Sequence, residues 1–242
     1  MVDIHCHILP GIDDGSKSWE MTADMCLIAA QDGITHIVAT PHCNHVYAYD
    51  RERFTDMLGQ LHDAGNGKLT FSLGCDFHFS YDNIQDALAN PRRYTIGDSQ
   101  YLLIEFSDYG IPPSVQQDVQ ALCSHGMVPI ITHPERNQPL LKNPEMVLRL
   151  IEQGCLAQIT ANAVTGSWGS RSRKMAEWLL SREAVHVIAS DAHDPVRRRP
   201  IMSEARDVVA ELAGADVAEA LVTHNPGAIV EGKSLPYQPA CG

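Results

Sequence analysis

Val2-Asp3-Ile4-His5-Cys6-His7 is an apolar run that ends in two histidines one residue apart. In an extended strand, residues i and i+2 share a face, so His5 and His7 can reach one ion together. Imidazole is the commonest side-chain ligand of divalent transition metals. Alone, such a pair is more often two ordinary strand-end histidines. Repetition decides otherwise. Further apolar runs end in potential ligands: Ile37-Val38-Ala39-Thr40-Pro41-His42, Leu73-Gly74-Cys75-Asp76 and Leu102-Leu103-Ile104-Glu105, then Pro129-Ile130-Ile131-Thr132-His133 and Val187-Ile188-Ala189-Ser190-Asp191-Ala192-His193. A ligand delivered at the C-terminal tip of strand after strand is how α/β enzymes assemble a site.

Strand-like runs fall near residues 2–6, 35–40, 69–75, 101–106, 128–132, 156–160 and 185–190. Between them lie helical stripes such as Met21, Met25, Ile28 and Ala29, with Gly33 placed to end the helix. Val115, Val119 and Leu122 precede Gly126 in the same way, and Val147, Leu150 and Ile151 precede Gly154. Met175, Trp178 and Leu179 give a fourth stripe. These stripes are core faces. Strands alternating with such helices imply parallel βαβ units. Without a glycine-rich dinucleotide loop, a closed or nearly closed (β/α) barrel is favoured over a Rossmann sheet. One domain is expected, followed by a loosely ordered tail from Lys233 to Gly242 that contains Pro236 and Pro239.

The 242 residues are 44% hydrophobic, enough for a core that needs no disulfide or structural metal. Seven cysteines, an odd number without a CxxC pair, sit mostly inside apolar runs, as buried thiols do. No signal peptide is expected, and no apolar stretch approaches the roughly 18 residues of a membrane-spanning helix. The expected location is the cytoplasm. A formal charge of −12 opposes nucleic-acid binding, which relies on many Lys and Arg.

His5, His7, His42, Asp76, Glu105, His133, Asp191 and His193 mix imidazole and carboxylate without repeated thiolates. That suits Mn, Fe, Zn or Co rather than a cysteine-rich structural zinc site. The set exceeds what one ion needs. Two or three ions with a bridging carboxylate is the natural reading, and hydrolysis at phosphorus is the commonest work of such clusters. Asp13 and Asp14, in Gly11-Ile12-Asp13-Asp14-Gly15, form an Asx turn or supply a ligand, with Asp14 favoured.

Asp3-Ile4-His5-Cys6-His7 followed by Pro10-Gly11-Ile12-Asp13-Asp14-Gly15-Ser16 resembles motif I of the PHP (polymerase and histidinol phosphatase) superfamily. More narrowly, it resembles the bacterial manganese-dependent protein-tyrosine phosphatases encoded with capsule and exopolysaccharide synthesis. Ala39-Thr40-Pro41-His42, Leu103-Ile104-Glu105-Phe106, His133-Pro134-Glu135-Arg136 and Ala189-Ser190-Asp191-Ala192-His193 match in order and approximate spacing, and the likeness runs from residue 1 to about 232.

This resemblance implies a distorted (β/α)7 TIM-like barrel, the PHP fold, with its active site at the C-terminal strand ends. It implies a trinuclear centre of divalent ions, manganese first, with Fe, Zn, Co or Mg as alternatives. One ion would take His5, His7 and Asp191, with Asp76 bridging to a second held by Glu105 and His133. The third would take Asp14, His42 and His193. The family usually has Glu where this chain has Asp76, one methylene shorter; His78 is a neighbouring histidine on the same strand. Arg136 and Arg199 are the candidate phosphate-binding guanidiniums, and Asp191 or a water the candidate proton donor.

The implied reaction is phosphomonoester hydrolysis by metal-activated hydroxide, on phosphotyrosine of a protein such as a bacterial exopolysaccharide tyrosine kinase. A cysteine nucleophile is disfavoured, because no cysteine has Arg six positions later. Rivals are a histidinol-phosphate or other small-molecule phosphatase, an amidohydrolase, and a non-catalytic binding module. No lysine ends a strand-like run to serve as a carbamylated bridge, and the nearly complete ligand set argues against a module that only binds.

Overall fold

Leu102, Leu103 and Ile104 are all fully buried, and this continuous burial marks a strand covered on both faces, as parallel strands between helices are. The computed structural model describes residues 1–241. The strands are β1 (Val2–Cys6), β2 (His36–Ala39), β3 (His42–Cys43), β4 (Thr70–Leu73), β5 (Asp76–His78), β6 (Tyr101–Glu105), β7 (Val128–Thr132), β8 (Leu156–Thr160) and β9 (Val187–Ala189). The helices between them are α1 (Trp19–Gln31), α2 (Arg51–Ala64), α3 (Tyr81–Ala89), α4 (Val115–Ser124), α5 (Gln138–Lys142), α6 (Glu145–Glu152), α7 (Ala161–Thr165) and α8 (Ser170–Ser181). After β9 come α9 (Ser203–Ala213), α10 (Ala215–Glu219), a π turn (Ala220–His224) and α11 (Asn225–Val230). Gly33, Gly126 and Gly154 lie just beyond α1, α4 and α6 with φ of 88°, 81° and 100°, the left-handed backbone that ends a helix.

The result is an α/β fold in which every strand pairing is parallel. One sheet has the order β1-β2-β4 and the other β3-β5-β6-β7-β8-β9. Two of the expected runs, 35–40 and 69–75, hold β2 and β4, and a second short strand, β3 or β5, follows just beyond the end of each. Pro41 has no N–H to give a ladder, and Gly74-Cys75 separates β4 from β5. Pairing continues across both breaks, because Gly74 N donates to Ala39 O (2.8 Å) and Asp76 N to Pro41 O (3.1 Å). At the other edge, Asp191 N donates to His5 O and His7 N to Ala192 O, both at 2.8 Å. The end of β1 is thereby tied to the chain leaving β9. The fully buried Asp3 reinforces the seam, its carboxylate accepting from Ser190 N (3.0 Å) and Ser190 Oγ.

The tail is held more firmly than its prolines imply. Asn225 Nδ2 donates to Tyr237 O (2.8 Å), Tyr237 N donates back to Asn225 Oδ1 (3.0 Å), and Cys241 N donates to Glu183 O (3.0 Å). Gly242, the last residue of that expected loose end, lies outside the described residues. Among the described residues no helix is long and apolar enough to cross a membrane.

His186, just before β9, provides a test of this packing. Burial lowers its pKa to about 4, and its Nδ1 accepts a hydrogen bond from Ala157 N (3.2 Å) that protonation there would remove. The unfolded chain therefore takes the proton first. Stability from this group is full above about 6.5 and is lost as pH falls from there through 4, by on the order of 3 kcal/mol at most. His186→Asn keeps an acceptor that does not titrate. Its urea midpoint should fall less than that of the wild type between pH 7 and pH 4.5, and parallel slopes would refute the assignment.

Candidate metal centre

Strand ends deliver the polar groups to one place. His5 lies in β1 with His7 just past it. His42, Asp76 and Glu105 lie in β3, β5 and β6, and His133, Asp191 and His193 directly follow β7 and β9. Asp14 comes from the loop after β1. All nine residues expected to ligate metal fall into four overlapping groups whose donor atoms lie within 4.8 Å of one another: His7, Asp14, His42 and His193; His5, His7 and Asp76; His5, His133 and Asp191; His42, Asp76 and Glu105.

His5 Nε2 and His7 Nε2 are 3.3 Å apart, so the i, i+2 pair does converge. Asp191 Oδ1 is 3.5 Å from each of these nitrogens. Asp76 Oδ2 lies 3.5 Å from His5 Nε2, 3.9 Å from His7 Nε2 and 3.1 Å from His42 Nδ1. Asp14 Oδ1 is 3.3 Å from His42 Nε2 and 3.4 Å from His193 Nε2, while His133 Nε2 is 3.7 Å from Glu105 Oε1. Donors around one ion with bonds of ~2.1 Å sit ~3.0–3.4 Å apart, close to this spacing. The grouping differs in detail from the one the family resemblance implied. His7 also joins Asp14, His42 and His193, while His133 groups with His5 and Asp191 and Glu105 with His42 and Asp76.

Two side chains and one backbone carbonyl aim the imidazoles, and one of them, Gln158, was not singled out from the sequence. His7 Nδ1 donates to Asp13 Oδ2 (2.9 Å), which can only accept, leaving Nε2 as a free lone pair facing the cluster. Asp13 also accepts from His42 N (3.1 Å). His5 Nδ1 bonds Gln158 Oε1 (2.9 Å), with the same result for His5 Nε2. His193 Nδ1 donates to Asp191 O (3.0 Å) and turns its Nε2 toward Asp14. The only sequence signals were a carboxylate beside Asp14 and a lone amide inside the apolar run Leu156–Thr160. Gly15 lets this loop come close, since a Cβ there would lie 2.2 Å from His7 O. Asp13→Ala and Gln158→Leu should each weaken metal affinity by ~10–100-fold, the usual cost of removing such a partner. Metal titration of the purified variants measures this, and unchanged affinity removes the aiming role.

The backbone is strained where it turns ligands inward. His133 has φ 33° and Asp191 φ 52°, a region non-glycine residues enter at a cost of about 1–3 kcal/mol. Electrostatics divides the histidines. Burial lowers His7 to about 3, helped by His193, and lowers His133 to about 3, helped by Arg136. For His5, burial is outweighed by Asp76 and Asp191, which raise it to about 9. For His42 it is outweighed by Asp14 and Asp76, which raise it to about 12. Asp191 is held well below the usual carboxylate range: burial opposes this, but His5, Arg198 and Arg136 win. Glu105 is raised by burial and by Asp76.

Arg136 donates to Asp191 Oδ2, as expected of a guanidinium beside the cluster. The guanidinium that meets the same Oδ2 beside it is that of Arg198, whose Nη2 donates to it at 2.6 Å, next in the chain to the expected Arg199. The loop folds on Asp194, whose Oδ1 accepts from Val196 N (2.7 Å) and Arg197 N (2.6 Å), and His193 N donates to Arg198 O (2.9 Å). That reversal returns residue 198 to Asp191. Arg199 instead lines a depression with Asn162, Thr165 and Ser167, and makes no ion pair with the cluster among the described residues. His78 stays at the edge, 3.8 Å from Glu105 Oε2. A groove of about 330 Å³ runs from Glu105, His133 and Arg136 outward past His45, His78 and Tyr109.

Residues 1–231 match the family described as capsular polysaccharide synthesis, CpsB/CapC. Tyrosine-protein phosphatase YwqE of Bacillus subtilis (strain 168) is 31% identical over 243 residues, spanning 99% of this chain and 95% of that protein. A solved structure, from the crystal structures of YwqE from Bacillus subtilis and CpsB from Streptococcus pneumoniae, described as unique metal-dependent tyrosine phosphatases, superposes with a TM-score of 0.90. It is 30% identical, and 99% of each chain is covered. Histidinol phosphate phosphatase of Lactococcus lactis reaches a TM-score of 0.58 at 12% identity, over 88% of this chain and 93% of its own, a likeness of fold alone. On the match to residues 1–231 and the relative aligned along nearly its whole length, the chain belongs to the CpsB/CapC family.

Proposed function

We propose that this chain is a metal-dependent phosphomonoester hydrolase that dephosphorylates phosphotyrosine on a protein in capsular polysaccharide synthesis. One observation carries the reading: nine imidazole and carboxylate donors converge beside two guanidiniums that share one carboxylate oxygen. The donors fit divalent ions. Asp76 Oδ1, fully buried, has no hydrogen-bond partner among the described residues, and Asp76 Oδ2 is faced by imidazole nitrogens of His5, His7 and His42 at 3.1–3.9 Å. A buried carboxylate left so is costly unless a cation meets it. The shorter Asp76 still reaches three imidazoles, which supports its bridging role in place of Glu.

Two or three ions, manganese first, would be held by His5, His7, Asp14, His42, Asp76, Glu105, His133, Asp191 and His193. When bound, they acidify water into a nucleophile and neutralise phosphoryl charge. The protein supplies the rest. Arg136 and Arg198 donate to nonbridging phosphate oxygens and stabilise the charge that grows there. Asp191 turns Oδ1 to the histidines and Oδ2 to both arginines, so it aligns the two halves of the site. Against burial, His5, Arg198 and Arg136 hold its pKa low, which favours an orienting role. Tyrosinate, from a phenol of pKa near 10, leaves with little protonation. The groove past Tyr109 accommodates the aromatic ring. A distorted (β/α)7 barrel over residues 1–232, closed by the β1–β9 seam, is the architecture we infer. A bacterial tyrosine kinase in the cytoplasm is the substrate we infer.

The test compares a phosphotyrosyl peptide, p-nitrophenyl phosphate and histidinol phosphate before and after chelation. Chelation should remove hydrolysis and Mn²⁺ restore it, with kcat/KM highest for the peptide. A large preference for histidinol phosphate would replace this reading with a small-molecule phosphatase.

A further inference from the structure

We infer that Trp168 is a positioning residue whose indole face seats Arg136 and Arg198 together as a two-guanidinium clamp for phosphate. The inference rests on the phosphatase reading and extends it to a residue outside the motifs. The Arg136 guanidinium carbon lies 4.3 Å from the Trp168 ring centroid and that of Arg198 5.5 Å, both within cation–π range. Two like charges are thus brought to one carboxylate oxygen and one aromatic surface. Asp191 alone cannot fix both planes, because each guanidinium can swing about a single accepting oxygen. A ring against both removes that freedom and leaves the donor forks preorganised. The two side chains remain 28% and 20% exposed, so a ligand can still reach them.

The backbone holds the ring in place from the metal side. Glu135, between His133 and Arg136, is fully buried, and its Oε1 accepts from Thr160 N (2.9 Å) and Thr160 Oγ1 (2.7 Å). Thr160 caps α7, accepting from Ala163 N (3.3 Å), and Trp168 N donates back to Asn162 O in that helix (3.1 Å). Gly166 and Gly169, with φ of 90° and 88°, make the turn that presents the indole. The strand tip carrying Arg136 and the turn carrying Trp168 are therefore one connected unit. Arg198 Nε is a buried donor with no acceptor among the described residues, and an oxyanion on the clamp brings acceptor oxygens to this corner.

The experiment measures orthophosphate binding to Mn²⁺-loaded protein by calorimetry, with metal content determined alongside. Trp168→Leu should weaken orthophosphate binding by ~10-fold, as expected for losing a largely desolvated cation–π platform. Trp168→Phe, which keeps a ring face, should recover most of that, and both should retain wild-type metal content. In an Arg136→Ala/Arg198→Ala background, Trp168→Leu should cost nothing further, because the ring acts through the guanidiniums. Wild-type affinity in Trp168→Leu, equal loss in Phe and Leu, an additive loss in the triple variant, or loss of metal would each overturn the inference. If Trp168→Leu does not fold, Trp168→Met decides it in the same way. If wild-type protein itself binds no orthophosphate, the phosphatase reading fails first; if it binds and the Leu variant binds equally, only the clamp fails.

Discussion

His7→Ala should lower kcat/KM for p-nitrophenyl phosphate by more than ~10³-fold, beyond the 10²–10³ lost with a single oxyanion donor. The reason is the position of His7 Nε2, which belongs to two donor groups at once, with His5 and Asp76 and with Asp14, His42 and His193. Truncation removes a ligand from both and takes one of its donors from the Asp13 carboxylate. The fold should survive, because His7 joins the seam through its backbone, His7 N to Ala192 O and Ser16 N to His7 O, and the variant keeps both bonds. Circular dichroism should therefore be unchanged while bound metal falls. His133→Ala is the informative comparison. His133 enters one group only, with His5 and Asp191, so it should lose less metal than His7→Ala while still losing turnover. Equal metal content and near-native rate in His7→Ala would dismantle the shared-ligand cluster.

What could be read from the sequence follows from periodicity. Donors at strand ends are legible because burial of the run is written in apolar residues and the break in burial marks the tip. This is why the eight strand-end donors converge, whereas Asp14 comes from the loop after β1. Register within loops is not written that way. Arg197-Arg198-Arg199 is three identical side chains in a row, and only the turn on Asp194 shows that residue 198 returns to Asp191. Likewise, Asp13 and Asp14 are chemically identical neighbours. Gly15, packed against His7 O, fixes the loop so that Asp13 faces His7 Nδ1 and Asp14 faces His42 and His193. Gln158 was hidden for the opposite reason: it occupies an apolar strand, where one amide reads as noise until His5 Nδ1 is found against it. The short strands β3 and β5 were also missed, because no apolar run of strand length marks them, although backbone pairing carries the sheet across Pro41 and Gly74-Cys75.

Arg136 separates charge stabilisation from metal binding. Its guanidinium touches Asp191 Oδ2, whereas the histidine-facing oxygen of that carboxylate is Oδ1. Arg136→Ala should thus keep wild-type metal content and lower kcat/KM for phosphomonoesters by roughly 10²–10³. Arg136→Lys should restore part of this, since an ammonium keeps the charge without the planar fork. Arg198→Ala should resemble Arg136→Ala, because both guanidiniums meet the same oxygen, and Arg199→Ala should stay within about threefold of wild type, as for a surface change away from the reacting groups. The double variant should lose less than the product of the two single losses, because each arginine also orients the other through Asp191. Release of metal by Arg136→Ala would make the side chain structural. A loss in Arg199→Ala matching that in Arg198→Ala would mean the loop moves when substrate binds, and the clamp would have to be redrawn around residue 199.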